Sequence, residues 1–201
     1  MTDYSKKGHY YIEEPRFELK HLIPLLPKKA HILDMGAGNG NNTKLFLELG
    51  YQVTAVEPNP TAIKILMELQ KDYSEQLQIV EASVDTYEPK QKFDVVVCCM
   101  VVHFMKDYKS GINAIRDIQS WTKPGGINLL TGYMSNQPLS KDYSFLLEPD
   151  ELSDLYKDWK ICWSQESFRL TLNRIYSLKD IPRLILGRRG FKAARIIARK
   201  T

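Results

Sequence analysis

Short, mainly apolar runs alternate along this chain with stretches whose apolar positions recur at helical spacing. Residues 30–34 form one such run, ending in Asp34, and a glycine cluster follows it. From Thr43 the period changes. Leu45, Phe46 and Leu49 recur as on one helix face, and Gly50 predicts the C-terminal cap. Residues 53–56 predict a second strand, closed by Glu57 and Pro58. Asn59 and Pro60 predict a helix start, an N-cap followed by proline at the first helical position. The stripe Ile63, Leu66, Met67 and Leu69 continues that helix. Residues 77–80 predict a third strand and residues 93–99 a fourth. The core of the fourth, residues 95–99, is apolar throughout, as expected where helices cover both faces of a sheet.

The rhythm continues to the C-terminus. A helix is predicted over 108–121, with Ile112, Ile115 and Ile118 on one face. Lys123, Pro124, Gly125 and Gly126 predict a turn before a fifth strand at 127–133. Residues 148–156 predict a helix, and residues 159–168 and 193–198 predict two last strands. Strands alternating with helices imply an α/β fold with a mostly parallel sheet.

A length of 201 residues fits a single domain over 1–201, large enough to bury its own core. The longest apolar run is the eight residues 95–102, too short to span a bilayer. Residues 1–11 are polar and mixed in charge, which predicts no secretory leader. Three cysteines, two of them adjacent, make no disulfide framework and no Cys-x-x-Cys metal pair, so a reducing, cytoplasmic setting is expected. Cys98 and Cys99, as neighbours on a strand, should point to opposite faces and serve a structural, reduced role. His9, His21, His31 and His103 are scattered without ligand spacing, so no metal is expected.

Charge divides the chain. Residues 160–201 hold 11 Lys/Arg against 2 Asp/Glu, while residues 1–159 hold 17 against 22. A basic last fifth attracts anions: an oxyanion substrate, a phosphate-bearing partner or a membrane surface. A solvated basic tail would have the same composition.

The glycine cluster reads Asp34-Met35-Gly36-Ala37-Gly38-Asn39-Gly40. Glycines between a first strand and its helix let the backbone approach a ligand closely. Glu57 ends the second strand 21 residues after Gly36, where an acid accepts hydrogen bonds from both ribose hydroxyls of a nucleoside. An adenosine-containing cofactor is therefore expected across the strand ends. A dinucleotide site has Gly-x-Gly-x-x-Gly, but Asn41 stands where its third glycine would be. Asp34 would repel a pyrophosphate and would favour the ammonium and sulfonium of S-adenosylmethionine. The pattern Asp-x-Gly-x-Gly-x-Gly is the signature of S-adenosylmethionine-dependent methyltransferases of the Rossmann-like class. At the adenine end, Ser83 is expected by register to meet the amino nitrogen, with Asp85 as the alternative and the Val84 N–H free to hold a ring nitrogen. Met100 is expected against the adenosyl moiety, and Pro58 and Asn39 complete the cofactor-binding set. His103 is either a general base or a helix-start residue that bonds a carbonyl.

The chain resembles the tellurite-resistance methyltransferases over roughly residues 10–175, and again at Ala198-Arg199-Lys200. The specific segments are 122–130 (Thr-Lys-Pro-Gly-Gly-Ile-Asn-Leu-Leu), Glu151-Leu152, and Tyr156-Lys157-Asp158-Trp159. The resemblance implies a Rossmann-like, seven-stranded, mostly parallel sheet flanked by helices, with the last strand antiparallel. It implies transfer of a methyl group to tellurite, selenite or a related soft nucleophile. The family's N-terminal arginine that closes over the cofactor falls on Arg16. Its oxyanion-binding basic residues fall on Arg169 and Arg174, the latter in Asn173-Arg174-Ile175. The family's histidine before Arg169 is Phe168 here, and residues 176–192 look like an added basic stretch.

Other acceptors keep the same cofactor half. A hydroxyl, amine, thiol or carboxylate of a small metabolite would use His103 or Tyr133 as base. Nucleic acid ranks lower, because there is no RNA-binding module and no Asn-Pro-Pro-Tyr-type motif. Residues 181–189 mix apolar and basic side chains as membrane-surface segments do, but Pro182, Gly187 and Gly190 oppose a long amphipathic helix there.

Overall fold

A computed structural model describes residues 15–135, 143–170 and 190–201, the backbone alone at 168–170 and 190–191. A seven-stranded sheet runs in the order β3-β2-β1-β4-β5-β7-β6. Its strands are β1 (His31–Met35), β2 (Gln52–Val56), β3 (Leu77–Val80), β4 (Phe93–Cys99), β5 (Thr122–Tyr133), β6 (Lys160–Leu170) and β7 (Gly190–Arg199). The first five pair in parallel, and β7 is antiparallel to both β5 and β6. The reversal of strand order beside β1 opens a crevice at the carboxyl ends of β1 and β4, where α/β sheets bind ligands.

Two cores cover the sheet's two faces. Ile32, Val53, Val95, Val97 and Leu129 pack with Leu19 and Leu22 of α1 (Leu19–Leu22), Phe46 of α2 (Asn41–Glu48) and Leu66 of α3 (Pro60–Asp72). Leu33, Val96, Cys98 and Leu130 pack with Ile115 and Ile118 of α4 (Tyr108–Ser120) and Leu152 of α5 (Glu151–Leu155). β4 thus buries alternate side chains into both cores, which is why its run is apolar throughout. Cys98 and Cys99 fall on opposite faces, as expected, and both are free thiols.

The local signals act as chemistry requires. Gly50 has φ +85°, its N–H bonds the Leu47 carbonyl, and the Tyr51 N–H bonds that of Phe46. That is a Schellman cap. Asn59 accepts from the Thr61 N–H at 2.8 Å, and Pro60 opens α3. A cap of this kind contributes about 1 kcal/mol.

Several boundaries differ. The helix expected over 148–156 is the single turn Glu151–Leu155. Lys123 to Gly126 were expected as a turn before the fifth strand and instead lie inside β5. Pro124 and Gly125 interrupt the register between Phe93 and Val95 as a bulge, while Gly125 and Gly126 stay bonded to Lys200. β7 begins at Gly190, inside the stretch expected as an insertion; residues 176–189 lie outside the described residues.

Candidate functional site

The glycine cluster turns sharply at the carboxyl end of β1. The N–H groups of Gly36 and Ala37 both bond the Val56 carbonyl at the end of β2, which pins the turn between the two strands. Gly36, Gly38 and Gly40 have φ of +72°, +58° and +82°, a region costly for side chains with a Cβ. A Cβ on Gly36 would strike Val101, and one on Gly40 would strike Leu66. A Cβ on Gly38 would meet nothing within 4 Å. Gly36 and Gly40 are therefore glycines for packing, while Gly38 presents bare backbone to open space.

Glu57 faces this loop. Its Oε2 accepts from the Gly38 N–H at 2.9 Å and its Oε1 from the Asn59 N–H at 3.0 Å. Burial pushes its carboxyl up from the usual carboxylate range, and the two backbone bonds oppose that. Asp34 lies one layer below, 1% exposed, and takes the Thr43 hydroxyl at 2.6 Å. Its burial pushes its carboxyl up to about 6 against the Thr43 bond, with the Glu57 charge adding to the rise.

The segment expected at the adenine end is a tight turn after β3. The Ser83 hydroxyl donates to Asp85 at 2.5 Å and lies within hydrogen-bond distance of the Thr86 hydroxyl at 2.9 Å, while Val84 buries its side chain in the core. Ser83 and Asp85, expected as alternatives, thus form one hydrogen-bonded unit, with the Asp85 carboxylate on the exposed side.

The end of β4 carries a strained residue. Met100 has φ +60°, and its N–H reaches the carbonyl and hydroxyl oxygens of Thr131, each at 3.0 Å. Such strain concentrates at ligand sites. A 3₁₀ turn, Val102–Phe104, follows. His103 is 2% exposed within it, and its ring lies 4.2 Å from that of Tyr133, 4.3 Å from Phe104 and 4.8 Å from Tyr143.

Arg16 enters from the N-terminal side. Its N–H bonds Asn42 Oδ1 at the start of α2; burial raises the Cys99 thiol at the end of β4, and the Arg16 charge opposes that. Sequence reasoning missed its neighbours Glu18 and Arg195, which form a buried ion pair at 2.8 Å across 177 residues of chain. No local pattern signals a pair so distant. It missed Thr43 as well, although a hydroxyl in the first turn after a glycine loop is a readable signal. Pro58 is exposed beside Glu57. Arg169 lies on β6 with its backbone opposite Phe191, and Arg174 lies outside the described residues.

Comparison with known proteins shows the family and the fold. The family described as "Tellurite resistance protein TehB" matches residues 4–171. The chain belongs to the TehB family. Among curated relatives, a probable S-adenosyl-L-methionine-dependent methyltransferase TehB of Haemophilus influenzae is 28% identical over 131 residues, 64% of this chain and 46% of that protein. Hemagglutinin 1 of Eikenella corrodens is 30% identical over 141 residues, 69% of this chain and 46% of that protein. The chain thus spans about half the length of the curated relatives it matches. The crystal structure of TehB from Haemophilus influenzae superposes with a TM-score of 0.79 at 24% identity, covering 98% of this chain and 66% of that one. A Burkholderia thailandensis 1,6-didemethyltoxoflavin-N1-methyltransferase, solved with its substrate and S-adenosylhomocysteine, superposes with a TM-score of 0.71 at 21% identity, covering 98% and 84%. The fold is that of the S-adenosylmethionine-dependent methyltransferases. Among the described residues no helix is long and apolar enough to cross a membrane.

Proposed function

We propose that this chain transfers a methyl group from S-adenosylmethionine to a small nucleophile, with tellurite or selenite as the first acceptors to test. The observation that carries this reading is the pairing of Glu57 with the open Gly38 backbone above a buried Asp34. A carboxylate offers about four lone-pair sites, and two of those on Glu57 are used by backbone N–H groups. The rest suit the two hydroxyls of a ribose. Asp34 supplies a carboxylate for an ammonium, Arg16 a guanidinium for a carboxylate, and Ser83, Asp85 and the Val84 N–H a polar edge for adenine. Gly36, Gly40, Asn39, Pro58 and Met100 shape the walls.

S-adenosylmethionine, when bound, supplies an electrophilic methyl group on a sulfonium. Because the sulfur leaves as a neutral thioether, the chain need not stabilise a leaving anion. Its residues must align the nucleophile and exclude water, and alignment alone contributes on the order of 7–11 kcal/mol. An oxyanion needs no base, only cations to hold it. Arg169 and Arg174 are the proposed holders, since guanidinium pairs bidentately with oxyanions.

A second reading rests on the aromatic cluster at the carboxyl ends of β4 and β5. His103, Tyr133, Phe104 and Tyr143 pack ring against ring there. Such a wall suits a planar metabolite, and His103 or Tyr133 would take its proton. The Burkholderia relative acts on a substrate named as a didemethyltoxoflavin.

Calorimetric titration with S-adenosylmethionine, S-adenosylhomocysteine and NAD tests the cofactor half. Micromolar binding of the two adenosyl ligands alone is expected, and binding of NAD alone would overturn the proposal. Incubation of the chain with methyl-labelled S-adenosylmethionine and tellurite or selenite, read as label transferred to the oxyanion, tests the acceptor half. In it, Arg174→Ala should raise the acceptor KM and leave S-adenosylhomocysteine affinity unchanged; an equal loss of both would remove Arg174 from that role.

A further inference from the structure

Glu18 is the least expected charge in the molecule. It is 0% exposed, at the junction of the N-terminal segment with the sheet. Its Oε1 accepts from Arg195 Nε at 2.8 Å, and its Oε2 lies 3.7 Å from Arg16 Nε. Arg195 is itself 2% exposed, and its Nη1 bonds Ser167 Oγ at 3.0 Å and the Ala193 carbonyl at 2.9 Å. Its guanidinium carbon also lies 5.4 Å from the centre of the Phe17 ring. Arg195 is thus fixed to β6, β7 and the N-terminal segment together.

The position of this cluster gives it meaning. Arg195 is opposite Thr131 in the β5–β7 register, and Thr131 is opposite Cys99 in the β4–β5 register. Burial raises the Cys99 thiol, with smaller opposing effects of the Arg16 charge and of the Glu18 and Asp34 charges. The register therefore sets Cys99, Thr131 and Arg195 in one polar row across the carboxyl ends of β4 and β5 and onto β7, which runs the opposite way, and Glu18 caps it through Arg195. Two guanidinium groups share one carboxylate. The fixed one, Arg195, is fully buried and takes the short contact; the other, Arg16, is 19% exposed and takes the longer one.

We infer that Glu18, neutralised by Arg195, is a positioning residue that aims the Arg16 guanidinium at the amino-acid end of the cofactor. This inference rests on the reading of Arg16 given under Proposed function. A partly compensated arginine keeps its direction without losing its attraction for an incoming carboxylate. With Arg195 removed, the Glu18 charge would turn wholly on Arg16 and compete with the ligand. With both removed, Arg16 would keep its charge and lose its orientation.

The test compares S-adenosylhomocysteine with 5′-methylthioadenosine, which carries the same adenosine and thioether but no amino acid. Calorimetric affinities are measured on the full chain for Glu18→Gln, Arg195→Met, and the double variant Glu18→Met/Arg195→Met, with Arg16→Met as reference. The double variant removes both fully buried charges together, so it should fold even if the single ones do not. Expected is a roughly tenfold or greater loss for S-adenosylhomocysteine in the double variant, with methylthioadenosine within twofold of the parent. Equal losses for both ligands, or no loss for either, would overturn the inference. Selective loss in Arg16→Met without selective loss in the double variant would overturn it while sparing Arg16. Absence of selective loss in Arg16→Met would instead remove the reading of Arg16 on which it rests.

Discussion

Glu57 holds Gly38 by a 2.9 Å hydrogen bond from the glycine N–H to Oε2, so the acid that ends β2 also sets the loop that follows β1. Both Glu57 oxygens accept from backbone N–H groups, those of Gly38 and Asn59. Glu57→Gln must present an amide NH₂ to one of these donors, and it removes the charge. Hydrogen bonds to a charged group contribute about 1.5–3 kcal/mol each. S-adenosylhomocysteine affinity should accordingly fall at least tenfold, read by calorimetry. An unchanged affinity would separate Glu57 from the ribose.

Gly36 and Gly38 look alike in sequence and should respond differently to alanine. At Gly36 the new Cβ would lie 2.3 Å from Val101 Cγ2 at a φ of +72°. Left-handed strain of about 1–2 kcal/mol adds there to overpacking of about 1–3 kcal/mol, so the midpoint of urea denaturation should fall clearly. At Gly38 the Cβ meets nothing, and only the backbone strain remains. Gly38→Ala should fold nearly as well as the parent and lose cofactor affinity, because its methyl group projects into the open space of the loop. The two variants should therefore separate stability from binding.

Gly111 provides a test of packing against propensity. Alanine for glycine inside a helix ordinarily stabilises by about 1 kcal/mol. Gly111 lies within α4, and a Cβ there would fall 2.2–2.5 Å from ring atoms of Phe145, which is 1% exposed. Overpacking against a buried ring outweighs the propensity gain. Gly111→Ala should lower thermal stability, and Gly111→Ala with Phe145→Leu should recover part of the loss.

Such contacts mark where the sequence stops being legible. The strands β3 and β4 and the start of α3 could be read to the residue, because an apolar run and a cap are local signals. The glycine loop and its acid are legible as a local pattern for the same reason: Asp34, the three glycines and Glu57 lie within 24 residues. Residues 123–126 misled because proline and glycine signal a turn, whereas here the neighbouring strands hold them in the ladder as a bulge. The pair Glu18 and Arg195 left no trace, since its partners meet only once β7 has docked antiparallel to β5. Nothing local to Gly111 marks it either, since the Phe145 ring that fills its Cβ position lies outside its helix.

Asp34 links stability, binding and pH. Its carboxyl is raised by burial from the ordinary 3.8 to about 6, with the Thr43 hydroxyl holding it lower than burial alone would. A group raised in the folded state favours folding fully below its unfolded pKa, and loses that contribution as pH rises through its folded pKa. The unliganded chain should therefore lose stability between about pH 4 and pH 7, by on the order of 3 kcal/mol from this residue alone. Asp34→Asn removes the ionisation, and its amide oxygen can still accept from Thr43. Urea denaturation of that variant should show little of this loss across the same window, and the variant should exceed the parent at pH 8. Cofactor affinity should run the other way. An ammonium beside Asp34 favours the carboxylate, so S-adenosylhomocysteine binding by the parent should strengthen as pH rises to about 6 and then level off, with proton release on binding near that pH. Asp34→Asn should bind weakly at every pH, without that slope. A parent whose affinity stays flat from pH 5 to pH 7 would show that Asp34 does not meet the ligand's positive charge.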